Sequence, residues 1–308
     1  MHIAFLTPEY PHQKTSGSGG LGTSIKNLAH SLVEKKITVT IFIYDQQEQS
    51  SFTESGISFH ILKKKKYKFF GWFFYRKYIQ NYINLQIKKI GIELLEAPDW
   101  TGITAFMNLQ CPVVIRLNGS DGYFCHLENR KQKKKNYLFE SLALKSADAL
   151  VSVSKFTGEI TAELFGISKT IPVIPNSLDI ESFIPTEKKV VKNQILYFGT
   201  LIRKKGVLEI AGIFNQIIKQ IPDARLLLIG KDVLDNLTGR STFELFKVEL
   251  SEKALQNLNY LAEVNYAEIQ NHISTSEVVI LPSFAEALPM TWLEANFKYR
   301  MGKGGNGE

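Results

Sequence analysis

The feature that most constrains the fold is the regular alternation of short apolar segments with amphipathic helical segments. After the apolar run His2–Thr7, the residues Ile25, Leu28 and Ala29 recur at helical spacing. A second apolar run follows at Ile37–Tyr44. Strands that alternate with helices build parallel sheets covered on both faces, so the pattern predicts doubly wound α/β domains.

The same alternation continues along the chain and divides into two series. Further strands are predicted at Ile92–Leu95, Val113–Leu117, Ala149–Val153, Ile171–Ile174, Ile195–Phe198, Arg225–Ile229, Leu258–Leu261 and Val278–Leu281. Later helices are predicted at Val207–Lys219 and Tyr266–Ser274. A polar segment that opens on Pro185 and runs to Asn193 predicts a linker. We therefore expect domains at residues 1–185 and 194–308, joined by residues 186–193.

The composition is that of an ordinary globular enzyme. With 308 residues, of which 44% are hydrophobic and 22% charged, the chain can bury two domain cores. The two cysteines, Cys111 and Cys125, exclude a disulfide scaffold and fit a reducing compartment. No apolar run approaches the roughly 18 residues that span a bilayer, and Pro8 and Glu9 interrupt the first run, which excludes a signal peptide. A cytoplasmic location is expected.

A strand followed by a helix start is predicted near the end of the chain. The run Val278–Leu281 has the length of a buried strand, and Pro289 suits the first turn of a helix. Backbone amides and the helix dipole at such a turn favour an anion. We therefore expect Leu288 and Met290 to contribute to a phosphate site at the carboxyl end of the sheet.

Two carboxylates, Glu286 and Glu294, flank this expected phosphate site. A negative side chain repels a phosphate. Their placement makes sense if each accepts hydrogen bonds from hydroxyl groups, one set on a sugar and the other on a ribose. The alternative is that both are solvated glutamates on the surface of a helix.

Four segments together resemble the retaining glycosyltransferases of family 4. Residues 286–294 resemble the family's pair of glutamates, and residues 281–283 resemble the Leu-Pro-Ser that precedes it. Residues 199–206 resemble its glycine and lysine turn, and residues 174–179 resemble its Ile-Pro-Asn-Gly-x-Asp. The resemblance implies the α/β GT-B fold, with two Rossmann-like doubly wound domains facing a cleft. The first domain would bind the acceptor and the second the nucleotide sugar.

The second domain is shorter than the family's pattern. After Glu294 the family continues into another strand and a returning helix, whereas residues 296–308 are polar and rich in glycine. We therefore expect an incomplete second domain, truncated at its C-terminus, which leaves the activity of this chain open.

The resemblance implies a glycosyltransferase of the hexosyltransferase type. It would move a sugar from a nucleotide-diphosphate sugar to a glycan or lipid-linked acceptor with retention of configuration. Lys205 matches the family's lysine, and Arg203 would replace the arginine that the family has at Thr200. With Glu286 they would form the catalytic group, because cations stabilise a departing diphosphate most in the transition state. The chain has no Asp-x-Asp pair to hold a metal, so neither metal nor cofactor is expected.

The first domain would complete the site. The resemblance places Gly19 and Gly20 over the diphosphate and Asn118 beside the transferred sugar, where many relatives have histidine. Asp121 is expected to be catalytic, by contacting the acceptor or stabilising positive charge on the sugar. Further acceptor-pocket residues are expected at Glu96, Asp99 and Trp100.

Two alternatives stay open. Gly17, Gly19 and Gly22 match the dinucleotide fingerprint, and Asp45 lies at the end of the second strand, which would suit an oxidoreductase. That fingerprint starts at the end of a strand, however, and nine residues separate Thr7 from Gly17. The other alternative is an inactive fragment that binds acceptor or membrane through its first domain.

Basic residues exceed acidic ones by 37 to 30, and the excess is clustered. The run Lys63–Lys68 leads into the aromatic segment Phe69–Tyr75, and a second run covers Lys131–Lys135. Lysines beside aromatic rings suit an anionic membrane surface, and a lipid-linked acceptor would explain them. Solvated lysines beside core aromatics are the alternative. Nucleic acid is not an expected partner, since no nucleic-acid motif is present.

Overall fold

The computed structural model describes residues 1–179, 189–262 and 264–303 and divides into two compact units. The first unit is Met1–Leu178 and the second is Asp179–Glu308. The predicted domain boundary between residues 185 and 186 falls within residues 180–188, which lie outside the described residues.

The first unit is built on a seven-stranded sheet. Its strands are β1 (His2–Thr7), β2 (Thr38–Gln46), β3 (Ser50–Glu54), β4 (Ile57–Lys63), β5 (Leu94–Pro98), β6 (Val113–Leu117) and β7 (Ala149–Ser152). Their order is β3-β4-β2-β1-β5-β6-β7, and only β3 runs antiparallel to its neighbour. The helices are α1 (Gly20–Glu34), α2 (Gly71–Ile90), α3 (Asp121–Leu127), α4 (Lys134–Ser146) and α5 (Lys155–Phe165).

Strand β1 shows why helices cover both faces of this sheet. All six of its residues are buried, and successive side chains point to opposite faces. Ile3 and Phe5 pack into one hydrophobic cluster with residues of α1, and Ala4 and Leu6 pack into another with residues of α2. A strand buried on both faces must be apolar at every position, which explains the continuous apolar run in the sequence.

The second unit repeats this architecture on a smaller sheet. Its strands are β8 (Val191–Phe198), β9 (Arg225–Ile229), β10 (Leu258–Leu261) and β11 (Ser276–Val279), all parallel in the order β10-β9-β8-β11. Its helices are α6 (Val207–Gln220), α7 (Thr242–Val248), α8 (Glu252–Gln256), α9 (Tyr266–Thr275) and α10 (Met290–Lys303). Tyr197 and Leu196 of β8 point into different core clusters.

The structure corrects the sequence prediction at several places. The strand predicted at Val278–Leu281 is β11, which begins and ends two residues earlier. The segment predicted as a strand at Ile171–Ile174 forms only an isolated bridge, between Val173 and Ser152, because proline at 172 has no N–H to donate. The hairpin of β3 and β4 was not predicted. Its turn is Ser55 and Gly56, both with positive φ, as a tight two-residue hairpin turn requires.

Candidate active site

Three loops meet at the carboxyl edge of the second unit's sheet, where β9, β8 and β11 lie side by side. The loop after β8, residues 199–206, is held on one side by Gly199 and Leu201, whose N–H groups donate to carbonyls of residues 229 and 231, each at 2.9 Å. On its other side, the N–H of Phe284 donates to the carbonyl of Lys204 at 2.9 Å. The central loop is therefore fixed by both neighbours.

Two glycines make this close packing possible. Gly206 has φ +69°, and a Cβ there would lie 2.1 Å from the carbonyl oxygen of Pro282. Gly230 has φ +145°, and a Cβ there would lie 2.0 Å from the carbonyl oxygen of Gly199. A larger residue at either position would push the loops apart.

Lys205 and Glu286 lie together in this edge. Lys205 Nζ is 3.7 Å from Glu286 Oε1, and the two side chains are 22% and 15% exposed. A Cβ at Gly199 would lie 3.5 Å from Lys205 Nζ and 3.9 Å from the methyl group of Thr291. The sequence placed Lys205 and Glu286 in one catalytic group, and the structure brings them into contact.

Tyr197 holds the loop that carries Lys205, a role that the sequence analysis did not predict. Its hydroxyl donates to the carbonyl of Thr200 at 2.9 Å. Burial raises the pKa of Tyr197, and the nearby charge of Glu286 raises it further, so the phenol stays neutral and keeps its donor.

Helix α10 and the loop before it carry the predicted donor contacts of the second unit. It begins at Met290, directly after Pro289, whose carbonyl accepts from the N–H of Trp292 at 3.1 Å. Met290 and Glu294 are both 5% exposed and, four residues apart, lie on one face of the helix. Leu288 is half-buried in the preceding loop. The predicted contacts of Leu288, Met290 and Glu294 with a donor stay predictions.

Arg203 points elsewhere. Its Nε and Nη2 donate to the two oxygens of Asp235, at 2.7 and 3.0 Å. The hydrogen bonds from Arg203, with those from Thr238, lower the pKa of the buried Asp235 to about 2. Arg203 thus joins two loops through a bidentate ion pair, whereas Lys205 is the cation beside Glu286. The catalytic role of Arg203 stays a prediction.

In the first unit, the glycine-rich segment is held by a carboxylate. Oε1 of Glu9 accepts from the N–H groups of Gly19 and Gly22, at 3.0 and 2.9 Å. Gly20 is the first residue of α1 and Gly19 its N-cap. Glu9 was not predicted in this role, and it meets the positive end of the α1 dipole.

Asn118 follows β6, and its backbone is hydrogen-bonded to the buried carboxyl group of Asp99. Its N–H and that of Gly119 donate to the two oxygens of Asp99, both at 3.1 Å. Burial raises the pKa of Asp99 to about 7, and the nearby charge of Glu140 adds to this effect. Asp99 is 0% exposed, so it supports the loop of Asn118 and is not the acceptor contact that the sequence suggested.

Asp121 lies in the first turn of α3 and belongs to a polar network. Its carboxylate accepts from Asn136 Nδ2 at 2.9 Å and lies 3.5 Å from Arg130. Partial burial opposes ionisation, but the hydrogen bond from Asn136 and the charge of Arg130 hold the pKa of Asp121 below its ordinary value. The buried Glu140 accepts from the N–H of Asp121 at 2.9 Å. Contact between Asp121 and an acceptor stays a prediction.

Glu96 and Trp100, which the sequence predicts for an acceptor pocket, differ in exposure, and their contact with an acceptor stays a prediction. Glu96 forms a largely buried ion pair with Arg116, at 2.7 Å, whereas Trp100 is 41% exposed. Arg116 also donates to the carbonyl of Ile174 at 2.9 Å, and Ser24 of α1 donates to Asn176 at 2.8 Å. The segment that resembles the family's Ile-Pro-Asn motif is thus fastened within the first unit.

The described residues contain neither a metal-binding cluster nor a membrane-spanning helix. No group of three or more His, Cys, Asp or Glu residues is placed to hold a metal ion in the described part of the chain. No helix within the described ranges combines the length and apolar character needed to cross a bilayer.

Two family profiles match the chain, and both describe glycosyltransferases. The sequence profile of Glycosyltransferase Family 4 matches residues 18–182, and that of Glycosyl transferases group 1 matches residues 179–297. No curated protein matches by sequence.

Solved structures of glycosyltransferases share the fold. Sucrose-phosphate synthase from Thermosynechococcus elongatus aligns with a TM-score of 0.69 at 16% identity, over 96% of this chain and 78% of that one. The catalytic domain of starch synthase IV from Arabidopsis thaliana, bound to ADP and acarbose, aligns with a TM-score of 0.64 at 15% identity, over 96% and 80%. A glycosyltransferase from Rickettsia africae ESF-5 aligns with a TM-score of 0.64 at 15% identity, over 96% and 77%.

These likenesses establish the fold, and the profiles establish the family. The predicted GT-B fold class is confirmed, with a smaller second unit. Both profiles describe glycosyltransferases, so the alternative of an oxidoreductase, which the glycine spacing also allowed, is not supported. The chain belongs to glycosyltransferase family 4 and is a glycosyltransferase.

Proposed function

We propose that this glycosyltransferase moves a sugar from a nucleotide-diphosphate sugar to a glycan or lipid-linked acceptor, with retention of configuration. The observation that carries the donor assignment is the contact between Lys205 and Glu286, 3.7 Å apart, inside three interlocked loops at the carboxyl edge of a parallel sheet. Ligands of open α/β sheets bind at this edge. Two fold neighbours are described as bound to UDP-2-fluoro glucose and to ADP with acarbose, which supports a nucleotide-sugar donor.

Lys205 would act on the departing nucleotide diphosphate. As the bond between the anomeric carbon and the diphosphate oxygen breaks, negative charge grows on the diphosphate. An ammonium group already fixed by its loop stabilises that charge without reorganisation. We propose transfer without a metal or cofactor, with Lys205 as the main cation and Arg203 as the residue that fixes the adjoining loop.

The two glutamates would orient the donor through its hydroxyl groups. Glu286, on the loop beside Lys205, would accept from the transferred sugar, and the buried Glu294 of α10 would accept from the ribose. The new bond to the acceptor oxygen forms on the face of the sugar that the diphosphate leaves, and the acceptor's proton leaves with the diphosphate. Retention rests on the resemblance of residues 286–294 to the family's retaining members.

The acceptor would reach the enzyme at the cytoplasmic face of a membrane. Exposed lysines at Lys63–Lys66 and Lys133–Lys135 suit an anionic surface and a lipid-linked glycan. The enzyme would thus be cytoplasmic, peripheral on the inner face, and would serve polysaccharide synthesis.

Donor binding and turnover test this proposal. The purified chain should be stabilised against heat by UDP, ADP or GDP sugars, and transfer should yield a product whose anomeric configuration, read by NMR, matches the donor. Lys205→Gln should lower kcat by roughly 10²–10³-fold, the range seen when one charge-stabilising donor is removed. Lys219→Gln, on the exposed end of α6, is the matched control. Inversion of configuration, or full activity of Lys205→Gln, would overturn the assignment.

A further inference from the structure

A surface of the first unit exposes several aromatic side chains beside lysines, and we name it the lysine–phenylalanine surface. It comprises the segment Lys63–Phe70 and the first turn of α2 with Phe74. Phe69, Phe70 and Phe74 are 70%, 68% and 46% exposed. Scattered exposed apolar residues are common, but several large apolar residues in one patch mark a binding surface.

The backbone conformation of Phe70 is a second indication that this surface binds a partner. Phe70 is the N-cap of α2 and has φ +49°, in the left-handed region that a bulky residue seldom adopts. Its side chain is not buried, so core packing does not compensate for this strain. Strained positions of this kind occur at functional sites.

The second lysine run meets the same surface. Lys135, in the first turn of α4, lies with its Nζ 5.6 Å from the centre of the Trp72 ring. From Trp72, ring contacts run through Phe73, at 5.8 Å, to Phe74, at a further 5.7 Å. Along α4, Leu138 is 50% exposed and lies on the same helix face as Lys135. Two basic segments that are distant in sequence are therefore joined by an apolar strip.

Most of the charge on this surface is not neutralised by the protein. Lys64 pairs with Asp45 at 3.0 Å. Within the described residues, Lys63, Lys65, Lys66 and Lys68 form no ion pair. The surface thus offers positive charge and hydrocarbon together.

We propose that the lysine–phenylalanine surface docks this enzyme on an anionic phospholipid bilayer. The lysines would lie against headgroup phosphates, and Phe69 and Phe70 would insert at the boundary of the acyl chains. A nucleic-acid duplex would satisfy the lysines but offers no hydrocarbon to three phenylalanines, which favours the lipid. The inference deepens the proposed peripheral location, and its test uses no sugar substrate, so it can fail independently of the donor assignment.

Vesicle sedimentation tests the proposal. The full chain should bind vesicles of phosphatidylcholine with phosphatidylglycerol and not vesicles of phosphatidylcholine alone, and salt should weaken the binding. Replacing Lys63, Lys65, Lys66 and Lys68 by Gln should weaken the partition coefficient by about fivefold per lysine. Phe69→Ser with Phe70→Ser, which keeps the charge, should weaken it at least tenfold.

Matched variants give the controls. Lys88→Gln with Lys89→Gln removes exposed charge at the other end of α2, and Leu85→Ser removes an exposed apolar side chain there. Both should bind vesicles like the wild type, and circular dichroism should show that all variants fold. Equal binding to uncharged vesicles, wild-type binding by the double phenylalanine variant, or binding of an oligonucleotide but not of vesicles would overturn the proposal.

Discussion

At the scale of single residues, the chemistry depends on which cation lies beside which carboxylate. The sequence grouped Arg203 with Lys205 because Lys205 matches the family's lysine and Arg203 would replace the arginine that the family has at Thr200. Only the fold separates the two side chains. Lys205 contacts Glu286, whereas Arg203 is held by Asp235. Asp235 has no motif of its own, and its pairing depends on a loop conformation that no local pattern predicts.

Glu286→Gln tests the carboxylate of the candidate site. The amide keeps the shape but loses the charge that lies 3.7 Å from Lys205 Nζ, and it offers only one acceptor oxygen. We expect kcat to fall by about 10²-fold or more, while the unfolding midpoint stays close to that of the wild type. Steady-state kinetics with thermal unfolding measure both, with Glu159→Gln on the exposed face of α5 as control. Unchanged turnover would remove Glu286 from the site.

Asp99→Asn tests the buried acid beneath Asn118. Its pKa is about 7 in the folded protein and about 3.9 in the unfolded chain. Between these values the folded state holds a proton that the unfolded state has released, so stability falls as pH rises. Asp99 lowers the free energy of unfolding by at most about 1.4 kcal/mol for each pH unit in this range. Above about pH 7, where Asp99 is ionised in both states, this pH dependence ends.

The variant Asp99→Asn should lack this pH dependence of stability, because asparagine does not titrate. Urea unfolding at pH 5, 6, 7 and 8 should show a wild-type stability that falls with pH relative to Asp99→Asn. Asp45→Asn, on the surface, should follow the wild type. Parallel curves for the wild type and Asp99→Asn would mean that Asp99 is ionised throughout.

At the scale of elements, local patterns predict strands better than the loops that hold the site. The bounds of Val113–Leu117, Arg225–Ile229 and Leu258–Leu261 were predicted as observed, because each is a short, mainly apolar segment of strand length. Ile171–Ile174 failed because apolar composition conceals the missing donor of a proline. The interlocking of the loops after β8, β9 and β11 depends on backbone contacts between distant segments.

Gly206→Ala tests that interlocking. The added methyl group would meet the carbonyl of Pro282 at 2.1 Å, in a left-handed backbone conformation. We expect a loss of unfolding free energy at or above the upper end of the roughly 0.5–3 kcal/mol seen for most substitutions, with loss of activity.

Gly212→Ala is the matched control for this substitution. Gly212 lies within α6, and a Cβ there would meet nothing within 4 Å. Alanine should stabilise the helix by about 0.5–1 kcal/mol. Urea unfolding and transfer assays compare the two variants. Equal effects of the two substitutions would show that the contact between residues 206 and 282 does not hold the site.

At the scale of the whole molecule, each unit has its own core. Among the described residues, three hydrophobic clusters lie within the first unit and two within the second. The end of the first unit is also fastened to it, since Asn27 Nδ2 donates to the carbonyl of Ser177 at 3.0 Å. Sequence alternation predicted two cores, because each series of strands and helices supplies its own apolar faces.

The first unit should therefore fold alone. A fragment of residues 1–178 should unfold cooperatively and keep the pH dependence that Asp99 confers, since every partner of Asp99 described above lies within it. It should not bind nucleotide sugars, because Lys205 and Glu286 are absent.

In the full chain, each unit should respond separately to a substitution in its own core or loops. Gly206→Ala should lower the unfolding midpoint of the second unit and leave that of the first unchanged, because the clash lies wholly within the second unit. Differential scanning calorimetry of the full chain, the variant and the fragment separates the two transitions. An unfolded fragment, or one transition that Gly206→Ala shifts as a whole, would show that the two cores are stable only together.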